Sequence, residues 1–172
     1  MLAWLESSQI AAWERSDSLW GWPFALTLHA LGTAVTIGLI FIICLRLIGV
    51  FETIPYTSLN RLFPVIWGAF AVQFLSGFAL WSTKPTRYVA DVAFMLKFLL
   101  FIIGFTLTLY LYGIMKREAA SWDAAGAVSP GGFKLVAPSL LVWCGVLIAG
   151  RLTAHLGALF AGERLAPRCW RV

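Results

Sequence analysis

Four long apolar stretches constrain the fold of this chain more than any other feature of its sequence. They cover roughly residues 20–45, 63–82, 92–115 and 137–160. A helix rises about 1.5 Å per residue, so each stretch is long enough to cross a hydrocarbon core of about 30 Å. Only 12% of the 172 residues are charged, against about a quarter in soluble domains. The sequence therefore predicts an all-α integral membrane protein with four transmembrane helices.

The connections between these stretches are short, which predicts a single domain over residues 1–172. An up-down-up-down path makes that domain an antiparallel four-helix bundle. This path places the 83–91 loop and both chain ends on one membrane face, side A. The loops at 47–62 and 116–136 then lie on the opposite face, side B.

Three local patterns add detail to the bundle. Apolar residues recur among polar ones ahead of the first stretch, which predicts an N-terminal amphipathic segment lying on the membrane surface; they are Trp4, Leu5, Ile10 and Trp13. The segment AASWDAAGAVSPGGFK, residues 119–134, has no apolar period and contains Pro130 beside two glycines, which predicts a flexible connection. Trp143 falls near the side B edge, where the aromatic belt of a membrane protein is expected.

Charge and motifs exclude several classes of function. The thirteen basic residues give a net charge of +5, but they are spread over all loops and do not form the single stripe of a nucleic-acid-binding surface. Membrane lipids are the expected partners of such flanking charges. The chain contains no H-E-x-x-H, G-x-S-x-G, phosphate loop or G-x-G-x-x-G motif. The sequence therefore gives no catalytic motif on which to base an enzymatic activity. Binding or electron transfer fits the sequence better.

Five basic or amide side chains lie inside the predicted spans, which contain no acidic residue. They are His29, Gln73, Lys97, Arg151 and His155. Ionisable groups at such depth are costly and by default mark a functional site in the bundle interior. At the rise of a helix, His29 lies about 13 Å and His155 about 8 Å from side A. Lys97, Gln73 and Arg151 fall in the same half of the membrane.

These depths predict a cofactor site, with haem b as the leading occupant. The chain has two histidines, and two neutral imidazoles from facing helices can supply both axial ligands of the haem iron. His29 and His155 are the predicted ligands, with Arg151 and Lys97 as partners for the propionates. Gly32 and Gln73 complete the site, because Gly32 shares a small-residue face with His29. The quinone alternative needs no iron, since its carbonyl oxygens accept hydrogen bonds from histidine and arginine.

Two other functions remain open. The first is a structural or accessory subunit that binds lipid, quinone or a partner protein. In such a subunit the polar residues would serve only helix packing. Gln73 would join helices, and Lys97 would extend its amino group to the headgroups. A role in copper transport is less favoured, because Cu(I) prefers soft ligands and the spans contain no cluster of methionine and cysteine.

The chain resembles a bacterial four-helix membrane family that is defined only as a domain of unknown function. The resemblance rests on RSDSLWGWPFALTLHALG, LRLIG, RLFPVIWGAF, the SG of QFLSG, YVADVAFMLKFLL and WCGVLIAGRL. The family pattern suggests signature positions at His29, Gly32, Arg46, Leu47, Gly49, Pro64, Lys97, Gly150 and Arg151. In general build the chain is similar to small cytochrome b-type and copper-resistance membrane proteins.

The resemblance implies a multi-pass protein of the bacterial inner membrane. An even number of spans places both termini on one side. Basic residues number six on side A and five on side B; those on side B lie closest to the span ends, which favours a cytoplasmic side B and periplasmic termini. A larger membrane complex or a soluble redox partner is the expected protein partner.

Overall fold

The fold is built from four long helices. The structure, a computed structural model, describes residue 4, residues 7–14 and residues 19–165, with side chains for all of these except residues 10, 14 and 154–165. We number the long helices α1 (Trp22–Leu47), α2 (Phe63–Ser82), α3 (Val92–Ala125) and α4 (Val136–Leu165). Every regular element in the described ranges is helical. Four of these helical stretches are long and apolar enough to cross a membrane, which confirms the all-α membrane prediction.

Short helical segments join the long ones. They are Gln9–Glu14 ahead of α1, Tyr56–Leu59 and the 3-10 turn Asn60–Leu62 ahead of α2, Pro85–Val89 ahead of α3, and Pro130–Lys134 ahead of α4. The predicted N-terminal segment is therefore helical over six residues. Ala11 of that helix is fully buried, whereas Trp13 is 45% exposed. The helix contacts α2, which accounts for the burial of Ala11.

The prediction of a flexible connection over residues 119–134 is wrong at both ends, because residues 119–125 belong to α3 and Pro130–Lys134 is a short helix. Helix α3 continues to Ala125 and ends at Gly126, which adopts the left-handed conformation with φ of 68°. Glycine takes this conformation without a Cβ clash and is the usual helix C-terminal residue. Trp122 holds the extension in place, since it is only 3% exposed and its ring meets the Tyr56 ring edge-on at 5.8 Å.

The bundle consists of two closely packed helix pairs. Helix α1 packs chiefly on α2, and α3 on α4. In the first pair, a Cβ on Gly32 would lie 3.1 Å from the carbonyl oxygen of Ala69 and from the amide nitrogen of Gln73. In the second pair, a Cβ on Gly104 would lie 3.0 Å from the Trp143 ring. Small residues at these crossings allow the close backbone approach that holds membrane helices together.

Aromatic rings join the two pairs near the middle of the bundle. Trp143 of α4 is fully buried, with ring centroids 5.7 Å from Phe70 of α2 and 6.1 Å from Phe101 of α3. The prediction of Trp143 at the membrane interface is therefore wrong. The physical reason is Gly104, whose missing side chain leaves room for the indole inside the bundle.

The outer surface of the bundle is apolar. Large hydrophobic side chains are exposed on several helices, among them Phe74 at 63%, Leu75 at 68%, Leu141 at 73% and Ile148 at 61%. In water such a surface would drive aggregation, whereas in a bilayer it is the expected lipid-facing surface. The burial pattern thus agrees with the apolar length of the helices.

We expect Gly32→Leu to destabilise the bundle by about 1–3 kcal/mol, the usual cost of overpacking a close contact. The added side chain would collide with the α2 backbone at Ala69 and Gln73. The matched control is Gly38→Leu on the same helix, because a Cβ on Gly38 meets nothing within 4 Å. Loss of helical circular dichroism on heating in detergent measures both variants. Equal midpoints for the two variants would contradict the close α1–α2 contact.

Candidate functional site

His29 is held between α1 and α2 by a directed hydrogen bond. Its Nδ1 lies 3.0 Å from the backbone carbonyl oxygen of Gln73 and 3.3 Å from the Ser76 Oγ. A carbonyl oxygen can only accept, so Nδ1 carries the proton and donates it. The neutral ring therefore presents a lone pair on Nε2.

Gly77 makes this position of the ring possible. A Cβ at Gly77 would lie 3.0 Å from the His29 Cε1 and 3.2 Å from its Nδ1. Real Cβ atoms seldom approach this closely, so any larger residue at position 77 would push the imidazole away. The SG pair of QFLSG therefore has two roles: Ser76 lies beside Nδ1, and Gly77 leaves space for the ring.

Lys97 of α3 contacts the second ring nitrogen of His29. Its Nζ lies 3.5 Å from the His29 Nε2, where the imidazole lone pair can accept an N–H from the lysine. On the other side of the lysine, a Cβ on Gly150 of α4 would lie 3.7 Å from its Cε. All four long helices therefore meet at one polar group, here called the His29–Lys97 centre and defined as His29, Gln73, Ser76 and Lys97.

Lys97 has few partners for a cation within a span. An ammonium has three N–H donors. In the described part of the chain, the Lys97 ammonium has one hydrogen-bond acceptor, the His29 Nε2. Lys97 forms no ion pair with any described carboxylate. A half-buried cation without a counter-charge is the feature of the centre that most strongly suggests a missing acceptor.

Two buried side chains, one on α1 and one on α2, each have an oxygen without a described partner. Gln73 is 3% exposed and Thr36 is fully buried, yet the Gln73 Oε1 and the Thr36 Oγ1 have no hydrogen-bond partner among the described residues. The Gln73 contact with His29 is made by its backbone carbonyl, so the predicted role of the Gln73 side chain in joining helices stays a prediction. Buried polar atoms without partners commonly mark the place of a bound water or ligand.

The structure brings together four of the six predicted site residues. His29, Gln73 and Lys97 form the centre, and Gly32 packs on the backbone of Gln73. Arg151 is exposed on α4, although its neighbour Gly150 faces Lys97. Adjacent residues of a helix point about 100° apart, so Arg151 leaves α4 in a different direction from Gly150.

The His155 side chain lies outside the described residues, although α4 is helical through this position. Residues four apart share a side of a helix, so position 155 lies on the same side of α4 as Arg151. The pairing of His29 with His155 stays a prediction. The described residues contain no group of three or more His, Cys, Asp or Glu that could hold a metal ion.

Comparisons with protein-family models, with curated proteins and with solved structures found no match for this chain. The resemblance to a four-helix membrane family therefore stays a prediction based on the quoted residues. The arguments about function below depend on the geometry and chemistry of the centre.

We expect nitrogen-15 NMR of histidine-labelled protein to find His29 protonated at Nδ1 and unprotonated at Nε2. The chain has two histidines, so His155→Gln leaves the signals of one ring and assigns them. The Gln73 carbonyl requires this tautomer because it can only accept a hydrogen bond. A proton on Nε2 with a bare Nδ1 would contradict the hydrogen bond to Gln73.

A matched glycine pair tests the space around the ring. Gly77→Ala should shift both His29 nitrogen signals, because the new Cβ would lie 3.0 Å from Cε1. Gly68→Ala on the same helix should leave them unchanged, since a Cβ there meets nothing within 4 Å. Identical spectra for the two variants would place His29 away from Gly77.

Proposed function

We propose that this chain is a small multi-pass membrane protein that binds a redox cofactor at the His29–Lys97 centre, and that the cofactor is a quinone. The observation that carries this proposal is the half-buried Lys97, which has one described acceptor, the His29 Nε2 at 3.5 Å. A quinone supplies carbonyl oxygens that accept hydrogen bonds and an apolar body that dissolves in the bilayer. Bound there, it would supply the capacity to accept and release electrons.

The charge of the centre favours such an acceptor. A cation placed beside a carbonyl oxygen stabilises the negative charge that the oxygen gains on reduction. Lys97 can fill this role while it keeps its contact with His29, because an ammonium has three donors. In the low-dielectric interior of a membrane the interaction is stronger than in water.

Small residues surround His29 and Lys97. His29 is flanked on its own helix by Ala25 and Gly32, both buried, and across the helix pair by Gly77. Gly150 leaves the far side of Lys97 without a side chain. Gly32 and Gly77 let the α2 backbone and the imidazole pack closely, which holds the His29 ring beside Lys97.

Haem b is the second candidate, and one observation favours it. A histidine that ligates a metal usually donates its other ring N–H to a carbonyl, and His29 does so through Nδ1 to Gln73. However, the Lys97 Nζ lies 3.5 Å from Nε2, on the side that an iron about 2 Å from that nitrogen would occupy. Haem binding therefore requires Lys97 to withdraw, so the present arrangement fits a quinone better.

The remaining candidates have weaker support. Copper transport calls for soft ligands, and the described atoms around His29 are nitrogen and oxygen. An accessory subunit would use the centre only for packing. In that case the Lys97 amino group would need no acceptor other than His29. Its removal would change the stability of the bundle without changing any bound species.

We expect Lys97→Met to weaken the binding of a short-chain ubiquinone by about tenfold or more, the effect of losing a charge-assisted hydrogen bond. Methionine keeps the length of the lysine stem and removes the donors. Quenching of tryptophan fluorescence by the quinone, with the protein in detergent micelles, measures the dissociation constant. Lys116→Met, at an exposed position farther along α3, is the matched control and should bind as the native protein does. Equal binding by Lys97→Met and the native chain would refute the quinone site.

The absorption spectrum separates the two cofactors. Protein from haem-replete cells should be colourless if the site holds a quinone, and extraction into an organic solvent should release that quinone. A Soret band that disappears in His29→Ala would instead establish haem b. If the protein contains neither cofactor and binds no added quinone, the accessory-subunit function is the one that remains.

A further inference from the structure

A second site lies at the other end of the bundle, in a cleft between the end of α1 and the extension of α3. We propose that this cleft, here called the side B cleft, binds the headgroup of a zwitterionic phospholipid that carries a phosphate and a primary ammonium. Its cavity volume is about 610 Å³, and its lining includes Arg46, Glu52, Tyr56, Trp122 and Asp123. This proposal is independent of the quinone at the His29–Lys97 centre.

Arg46 is the buried cation of the cleft. It is 7% exposed, and its Nε donates to the Ile54 carbonyl oxygen at 2.6 Å while Nη2 donates to the Glu52 carbonyl oxygen at 3.1 Å. Its Nη1 donates to the Tyr56 hydroxyl at 3.0 Å, and the guanidinium lies 3.9 Å from the centre of the same ring. A guanidinium has five N–H donors, and these hydrogen bonds use three of them. The other two remain for a ligand, and the guanidinium is already held rigidly.

Trp122 supplies another donor. It is 3% exposed, it lines the cleft, and its Nε1 has no acceptor among the described residues. A buried indole N–H normally has a partner. A phosphate oxygen bound near Arg46 provides acceptors for an indole and a guanidinium together.

The acidic residues exclude a simple anion as the ligand. Asp123 is fixed in place, since its Oδ1 accepts from the Tyr56 amide at 2.6 Å and its Oδ2 from the Thr57 amide at 3.0 Å. Glu52 is exposed at the rim. Two carboxylates and one guanidinium leave the lining with a net negative charge, which repels inorganic phosphate. A ligand that carries both a phosphate and an ammonium satisfies both signs.

The position of the cleft favours a lipid over a soluble zwitterion. Helix α1 has 26 residues, or about 39 Å, against a hydrocarbon core of about 30 Å, so Arg46 in its last turn lies at the level of the headgroups. Beside the cleft, the loop after α1 exposes three apolar side chains, Ile48 at 45%, Val50 at 40% and Phe51 at 51%. These provide an apolar surface for the acyl chains of a lipid whose headgroup enters the cleft.

The test measures which lipids stay bound to the protein. Purified protein is exchanged into micelles that contain equal amounts of phosphatidylethanolamine and phosphatidylglycerol with the same acyl chains, and native mass spectrometry counts the lipids retained. We expect the native chain to retain phosphatidylethanolamine in clear preference. Glu52→Gln, which removes the ammonium partner, and Trp122→Phe, which removes the indole donor, should each lower that retention by about tenfold.

Matched controls separate the cleft from general effects of charge and packing. Glu118→Gln makes the same charge change on α3 at a residue that does not line the cleft, and Trp67→Phe makes the same ring change in the aromatic cluster on α2. Both controls should retain the lipid. Glu52 is exposed, so its variant remains informative even if Trp122→Phe fails to fold.

Three outcomes would overturn the proposal. Equal retention of the two lipids would show that the headgroup is not recognised. Equal loss in Glu52→Gln and Glu118→Gln would show that overall charge, not the cleft, controls retention. Soluble O-phosphoethanolamine that displaces the lipid at equal concentration would identify a water-soluble ligand in place of a membrane lipid.

Discussion

The contact between the His29 Nε2 and the Lys97 Nζ, 3.5 Å apart, is the interaction on which the candidate site depends. It joins α1 to α3 and therefore links two helix pairs that are each held by close glycine contacts of their own. The Gln73 carbonyl sets the direction of the imidazole, and Gly77 and Gly150 leave the space in which the two side chains meet. A side chain at Gly77 would push the imidazole away, since its Cβ would lie 3.0 Å from the His29 Cε1.

Much of the fold follows from the sequence because hydropathy is a local property. The apolar stretches predicted α2 at its observed bounds and α1 within two residues. Depth along the helix axis is also local, so the sequence places His29, Gln73 and Lys97 in the same half of the membrane. Rotation about the axis depends on neighbouring helices. For that reason the sequence alone could not show that Gly150 and not Arg151 faces Lys97.

The positions of two tryptophans also depend on packing between helices, which the sequence alone does not show. Trp143 and Trp122 were expected at an interface and in a loop, yet both are buried. Each ring fills space beside a glycine that is distant along the chain or in a separate helix, Gly104 for Trp143 and Gly132 for Trp122. Complementary packing of this kind has no signature in a single sequence. The side B cleft was missed for this reason, since Trp122 and Arg46 meet only in the folded chain.

The two helix pairs are joined unequally along their length. At side B, Asp123 receives two backbone N–H groups from the segment before α2, and Trp122 stacks edge-on against Tyr56. In the layer of His29, the described polar link between the pairs is one N–H···N contact. Among the described residues, the pairs are therefore joined by fewer polar contacts in the layer of His29 than at side B. An apolar molecule that reached Lys97 from the bilayer would thus have to separate fewer described polar contacts between the pairs in this layer than at side B.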